Sequence, residues 1–155
     1  MRKINLVLLI LLLLMIVFSI YFVQGGNLRS KVYVSTQSGW ENPEAFESIR
    51  NIFNSGAAPQ TFDALPEDVE RCSTMDITLR LTNVGLFAAE WIDIALEPQA
   101  GDIAVYSLEG EGATVPARSS LQINLKLVTA QPAGQRVVRL NYYVYGMQKT
   151  IRIRV

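Results

Sequence analysis

Hydrophobic and polar positions along this chain follow three successive patterns. From Leu6 to Val23 there is no alternation: 17 of 18 residues are apolar, and Ser19 is the exception. Eighteen helical residues cover about 27 Å at ~1.5 Å each, close to the ~30 Å hydrocarbon core of a bilayer. Residues 1–23 are therefore expected to be an N-terminal transmembrane signal-anchor, and residues 24–30 a short Gly-containing linker. A cleaved signal peptide is the competing reading. Its apolar region usually spans only ~7–15 residues before a small-x-small site, and Val23-Gln24-Gly25 is a poor match to such a site.

After a β-branched, alternating segment at Lys31–Gln37, the period becomes helical. Asn42-Pro43-Glu44 supplies an N-cap, a proline at the first helical position and an acid in the first turn. Ala45, Phe46, Ile49, Ile52 and Phe53 then line one face, and Asn54-Ser55-Gly56 stops the helix. Residues 57–73 read as a loop, with a helical turn at Pro66–Arg71. From Met75 onward the period is two. Ile77, Leu79 and Leu81 alternate with Thr78, Arg80 and Thr82. Ile92, Ile94 and Leu96 alternate with Trp91, Asp93, Ala95 and Glu97. A shorter strand follows at Asp102–Leu108, then a loop with a brief edge strand at Thr114-Val115. Leu121, Ile123, Leu125 and Leu127 alternate with Gln122, Asn124 and Lys126. Arg136–Tyr145 and Met147–Val155 are two strands joined tightly at Gly146. About seven short strands with turns every 8–12 residues indicate an all-β sandwich with one helical insertion at about 42–54, the whole occupying residues 31–155.

Composition changes this picture in two ways. The chain has 155 residues, half of them apolar, yet outside residues 1–23 the share falls to 58 of 132, or 44%, an ordinary globular value. It also has no histidine. That excludes His-based acid–base chemistry, Ser-His and Cys-His nucleophile pairs, and imidazole metal sites. Cys72 is the single cysteine, read as a small, half-buried residue rather than an intermolecular disulfide or reactive thiol, because no CxxC motif or adjacent His activates it.

The net charge of zero conceals segregation. All fourteen acids lie between Glu41 and Glu111, whereas residues 118–155 carry seven Lys/Arg and no acid. In a sandwich these segments can meet across strands. No basic-aromatic motif points to nucleic acid. The adjacent carboxylates Glu67-Asp68, Asp93/Glu97 and Glu109/Glu111 are indistinguishable from ordinary surface acids. No cofactor, metal or small-molecule ligand is expected, and no enzymatic activity.

Three segments resemble the extracytoplasmic immunoglobulin-like domains of bacterial surface proteins, the fibronectin-type-III-like and adhesion-related families among them. These are Ile77–Gly85, which ends in Asn83-Val84-Gly85; Val115–Leu125, with Pro116 in its turn; and the final hairpin Gly134–Val155. The resemblance covers about half the chain and implies an immunoglobulin-like β-sandwich, not an activity. An immunoglobulin-like domain on one membrane helix is also similar to the copper chaperones of cytochrome oxidase assembly. Those require paired cysteines, and one Cys without His argues against that role.

In an immunoglobulin-like order, the strand at Glu90–Glu97 shares a sheet with the last two strands. Its outward residues would be Trp91, Asp93, Glu97, Arg139, Asn141, Tyr143, Tyr145, Thr150, Arg152 and Arg154. Of these, Trp91, Asp93, Glu97, Arg139, Tyr143, Tyr145, Arg152 and Arg154 form the candidate partner-binding face, since aromatics and Arg are enriched at hot spots. The same face could instead be the dock for the helix stripe Phe46/Ile49/Phe53; a helix over half the sheet would allow both. The expected function is a non-enzymatic, single-pass membrane module with its C-terminal domain outside the cytoplasm, binding or scaffolding an envelope protein. The alternative is a carbohydrate or cell-wall binding module, with Trp40, Trp91 and the tyrosines stacking on sugar rings.

Overall fold

The computed structural model describes residues 2–24, 28–41, 43–68 and 71–155, with the side chains of 2–4, 21–24 and 40 excepted. Helix α1 (Arg2–Gln24) is followed by strand β1 (Leu28–Ser38), a 3-10 turn (Gly39–Glu41), helix α2 (Pro43–Asn54) and strand β2 (Gln60–Thr61). The remaining strands are β3 (Ser73–Asn83), β4 (Glu90–Glu97), β5 (Asp102–Glu109), β6 (Ser120–Thr129), β7 (Val137–Val144) and β8 (Met147–Arg154). They form two antiparallel sheets, ordered β1-β3-β6-β5-β2 and β4-β7-β8. The inward residues of both sheets meet in one core, including Ile77, Leu79, Leu81, Ile92, Ile94, Ile123, Leu125, Leu127, Val138 and Leu140. This is an all-β sandwich, and the period-two pattern marks its inner face correctly.

The transmembrane helix expected ahead of the sandwich is not found. Among the described residues no helix is long and apolar enough to cross a membrane. Three smaller expectations also change. β1 starts at Leu28 and is 11 residues long, so it takes up part of the expected linker. The loop at 57–73 contains the short strand β2, and Thr114-Val115 contributes only an isolated bridge, Val115 to Ala89. The N-cap Asn42 and part of the turn at 66–71 lie outside the described residues.

The sequence leaves the docking site of α2 open, and the structure places it. Its buried residues Phe46 and Ile49 pack with Cys72, Ile103, Ala104 and Val128, and Phe53 and Tyr106 flank them. Leu127 belongs to the inter-sheet core and Val128 to this second cluster. Adjacent strand residues point to opposite faces, so α2 covers the outer face of the five-stranded sheet at β5 and β6. It does not dock on the β4-β7-β8 face. Gly56, with φ +68°, closes the helix in the left-handed conformation, and Ala57 N–H donates to Ile52 O at 3.1 Å, the capping geometry that frees a helix to turn sharply.

Tyr106 lies half-buried beside this cluster. Burial, and then the negative charge of Asp76, push its phenol up to about 12, against about 10 for a free tyrosine. A folded-state value above the unfolded one means that stability from the neutral phenol is intact below about pH 10 and lost as pH rises toward about 12. Alkaline denaturation monitored by tyrosinate absorbance should therefore show a loss of stability in that window, and Tyr106→Phe should reduce it.

At the end of the sandwich opposite Leu28 lies a buried ion pair. The Arg136 and Asp102 side chains are 1% and 0% exposed, with Nη2 at 2.6 Å from Oδ1. Nε donates to both carboxylate oxygens at 3.0 Å. Nη2 also reaches Gln131 O at 2.7 Å and Thr129 Oγ1 at 3.2 Å. Gln99 N–H donates to Asp102 Oδ2 at 2.9 Å. The pair thus ties the start of β5 to the end of β6 and the loop into β7. Among the described residues it is one of two ion pairs between the acidic and basic parts of the chain, Arg152–Glu97 being the other.

The side edges of the sandwich differ. Gln60, on β2, donates its amide to Ile94 O at 2.8 Å and accepts from Leu96 N–H at 3.0 Å. Farther along β4, Ile92 N–H donates to Ala113 O at 3.1 Å and Gly112 N–H to Ile92 O at 2.7 Å. A side chain and a loop thus occupy the outer backbone edge of β4 and bind the two sheets together there. β1 and β8 each pair on one side only.

Candidate binding face

The outer face of β4-β7-β8 is built by strand parity. Ile92, Ile94, Val138, Leu140, Tyr142 and Val144 point into the core, so their neighbours point out. Trp91, Asp93, Arg139, Tyr143, Tyr145, Arg152 and Arg154 are exposed and Glu97 is half-buried. All eight sequence-derived residues share this face or its end, and α2 leaves it uncovered.

The face has three zones. At one end Arg152 bridges to Glu97 at 3.2 Å. Arg139 stands directly opposite Arg152 in the β7–β8 register, a like-charge pair that is unfavourable by itself. Among the described residues, Arg139 and Arg154 have no ion-pair partner, so this end is net positive. In the middle Asn141 donates to Asp93 Oδ2 at 2.9 Å and accepts from Thr150 Oγ1 at 2.7 Å. That ladder engages Asp93 within the sheet. Glu109 is likewise bonded to Asn124 and Asp68 to Arg71.

The other end is aromatic. The β4–β7 register shifts between Glu90 and Asp93. In this bulge Trp91 adopts φ +53° and is 71% exposed. A left-handed conformation costs a bulky residue about 1–2 kcal/mol, and bulges re-aim side chains. Tyr145 and Gly146 form the two-residue connection between Val144 and Met147, with φ +53° and +70°. Both positive angles fit a type I′ turn, whose usual residues are Asn and Gly. Glu90, Trp91, Tyr143 and Gly146 line an open recess of about 320 Å³. Phe87 meets Tyr145 edge-on, with ring centroids 4.3 Å apart. The sequence pattern flags neither Phe87 nor Glu90. Both sit beside strand residues already on the face, but the bulge that brings them there leaves no period-two signal. The Trp40 side chain lies outside the described set.

Two buried groups behind the sheets are structural. Cys72 is buried, and desolvation raises its thiol above the ordinary value, which disfavours the reactive thiolate. Tyr142 is 2% exposed. Burial raises its phenol, and a hydrogen bond with the Leu28 backbone acts in the opposite direction. That bond ties β7 to the first residue of β1. Among the described residues no group of three His, Cys, Asp or Glu is placed to hold a metal ion.

No family model matches the chain, and no curated protein does. Two solved structures are similar to it. One is an X-ray structure of a Northeast Structural Genomics Consortium target, 16% identical, covering 83% of this chain and 85% of its own, with a TM-score of 0.44. The other is a FixG-related protein from Vibrio parahaemolyticus, 9% identical, covering 81% of this chain and 93% of its own, with a TM-score of 0.36. Likenesses this low carry no argument about function.

Proposed function

We propose that this chain is a non-enzymatic, immunoglobulin-like module, working outside the cytoplasm, that binds an envelope protein through the outer face of β4-β7-β8. The observation that carries the reading is that this face is left open while α2 covers the opposite sheet. It presents Trp91, Tyr143 and Tyr145 beside an arginine cluster with surplus positive charge, a composition suited to a partner surface that is apolar at one end and acidic at the other. The immunoglobulin-like part rests on strand order: β1-β3-β6-β5 over β4-β7-β8 follows the A-B-E-D over C-F-G arrangement of constant-type domains, with β2 added at one edge. The placement outside the cytoplasm rests on the resemblance of Ile77–Gly85, Val115–Leu125 and Gly134–Val155 to extracytoplasmic immunoglobulin-like domains.

The test is photocrosslinking in intact cells from positions 143 and 139. A discrete adduct with one envelope protein is expected. Trp91→Gly separates binding from folding. Glycine suits φ +53°, so stability should stay within about 1 kcal/mol of the parent. Loss of an exposed hot-spot ring should weaken capture at least about tenfold. If Trp91→Gly leaves capture unchanged, the face is not the binding surface. Protease accessibility in spheroplasts checks the placement outside the cytoplasm.

One observation favours the carbohydrate alternative. The recess beside Trp91 joins an aromatic ring to the Glu90 carboxylate, the pairing that would grip a sugar ring and its hydroxyls. Peptidoglycan or glycan binding that disappears in Trp91→Gly would favour it over the protein partner, and its absence would remove it.

A further inference from the structure

The two sheets end in the edge strands β1 and β2 on one and β4 and β8 on the other. An unpaired edge offers a row of backbone N–H and C=O groups to any further strand, and natural sheets protect theirs. Three of these edges are protected. β2 is only two residues long. The outer backbone of β4 is taken by Gln60 and by the 112–113 loop. β8 turns a charge inward, since Lys149 stands opposite the buried Tyr142 in the β7–β8 register.

β1 has none of these devices. It runs for 11 residues and pairs with β3 at every position from Leu28 to Ser38 without a bulge. Its charges, Arg29 and Lys31, lie near its start, and residues 32–38 contain no charge, glycine or proline. Tyr33 and Val34, in the middle, are 57% and 44% exposed.

We propose that two copies of this chain pair antiparallel along β1, about a twofold axis at Tyr33, joining their five-stranded sheets edge to edge. Opposite residues in an antiparallel pair share a face, so such an axis must pass through a residue and not between two. At Tyr33 it sets Tyr33 against its own copy and Val34 against Val32, which covers both exposed apolar side chains. It also sets Arg29 against Gln37 and Lys31 against Ser35, so like charges stay apart at the two ends of the seam.

Charge selects a second copy as the occupant. Within one chain Lys31 stands directly opposite Arg80, an unfavourable like-charge pair, and among the described residues neither has an ion-pair partner. Ser35 stands opposite Asp76, whose other neighbour, Lys126, makes no ion pair with it. In the paired copies, Lys31 of one lies two strand spacings, ~9.6 Å, from Asp76 of the other. Only the small Ser35 lies between them, and the two extended side chains together close that span. The twofold axis makes this contact twice. The pairing does not rest on the binding role of β4-β7-β8.

The test uses the full chain in mild detergent, which keeps the exposed apolar side chains of α1 in solution. Tyr33→Cys is expected to form a disulfide-linked dimer on mild oxidation, because opposite Cβ atoms lie ~4.5–5.5 Å apart; the buried Cys72 stays unreacted. Arg29→Cys and Gln37→Cys should each remain unlinked alone and link when mixed, which fixes the register. Val34→Lys gives β1 the inward charge that β8 has, and should weaken dimerisation at least about tenfold in sedimentation equilibrium. Lys31→Glu should also weaken it, by setting an acid near Asp76 of the other copy, while the folded monomer keeps its stability because the new carboxylate faces Arg80 of its own chain. A monomeric chain with no link at position 33 overturns the proposal. A dimer that Val34→Lys and Lys31→Glu leave intact arises from another surface and overturns it too. In intact cells, an adduct of Tyr33→Cys with a different protein assigns this edge to a strand of that protein, which also overturns the proposal.

Discussion

Replacing Arg136 with alanine is expected to destabilise the sandwich by about 3–5 kcal/mol, the range for breaking a buried ion pair by removing one partner. The magnitude comes from what is left behind. Asp102 would keep its carboxylate at 0% exposure with only the Gln99 N–H to answer it. The carbonyl of Gln131 would keep only the longer bond from the Thr129 hydroxyl, at 3.2 Å. Arg136→Lys should recover little, because one ammonium cannot reproduce the three contacts that Nε and Nη2 make to the two carboxylate oxygens. The double variant Asp102→Leu/Arg136→Met should recover much of the loss, since a well-packed apolar pair removes the desolvation penalty altogether. Urea denaturation with an unchanged m-value would show that the loss lies in the folded state. A loss below about 1 kcal/mol for Arg136→Ala, the worth of an exposed pair, would contradict the buried geometry.

The second large effect is expected at Asn83, which is fully buried. Its Nδ2 donates to Phe87 O at 2.7 Å and Val115 O at 2.9 Å, and its Oδ1 accepts from Gly85 N–H at 2.9 Å. Asn83→Ala removes all three bonds and leaves the buried Gly85 amide without its acceptor, while Val115 O keeps the Ala89 N–H at 2.9 Å; at about 1 kcal/mol per bond the loss is about 2–3 kcal/mol in total. Asn83→Asp should be nearly as damaging, because it keeps the acceptor for Gly85 and loses both donations. The effect should also be local. The Phe87 carbonyl is anchored by Asn83, and the Phe87 ring carries Tyr145, so faster amide exchange at Gly85 should accompany looser packing of that aromatic pair.

How much of this was legible depended on whether the relevant signal is periodic. Strand parity placed Trp91, Asp93, Arg139, Tyr143, Arg152 and Arg154 outward because one face of their sheet is buried and the other open. Parity said nothing of α2, although the clue was present. In Ile103-Ala104-Val105 and in Leu127-Val128 adjacent residues are both apolar, which in a strand means that both faces are covered. The helix packs at those positions. The buried pair was not legible, because Asp102 and Arg136 lie 34 positions apart and look like any strand-end acid and loop base. Gln60 was equally silent, since a side chain that completes a backbone edge has no pattern of its own.

The Gln60 contact has a consequence for self-association. Because it joins β2 to β4, the flank they share is closed to further strands, while the unpaired edges of β1 and β8 come to lie on the opposite flank. Indefinite stacking of sheets requires each copy to offer a bonding edge on both sides. A molecule with one blocked flank ends the series as soon as two copies meet, so edge pairing in this fold terminates at a dimer instead of propagating into a fibre.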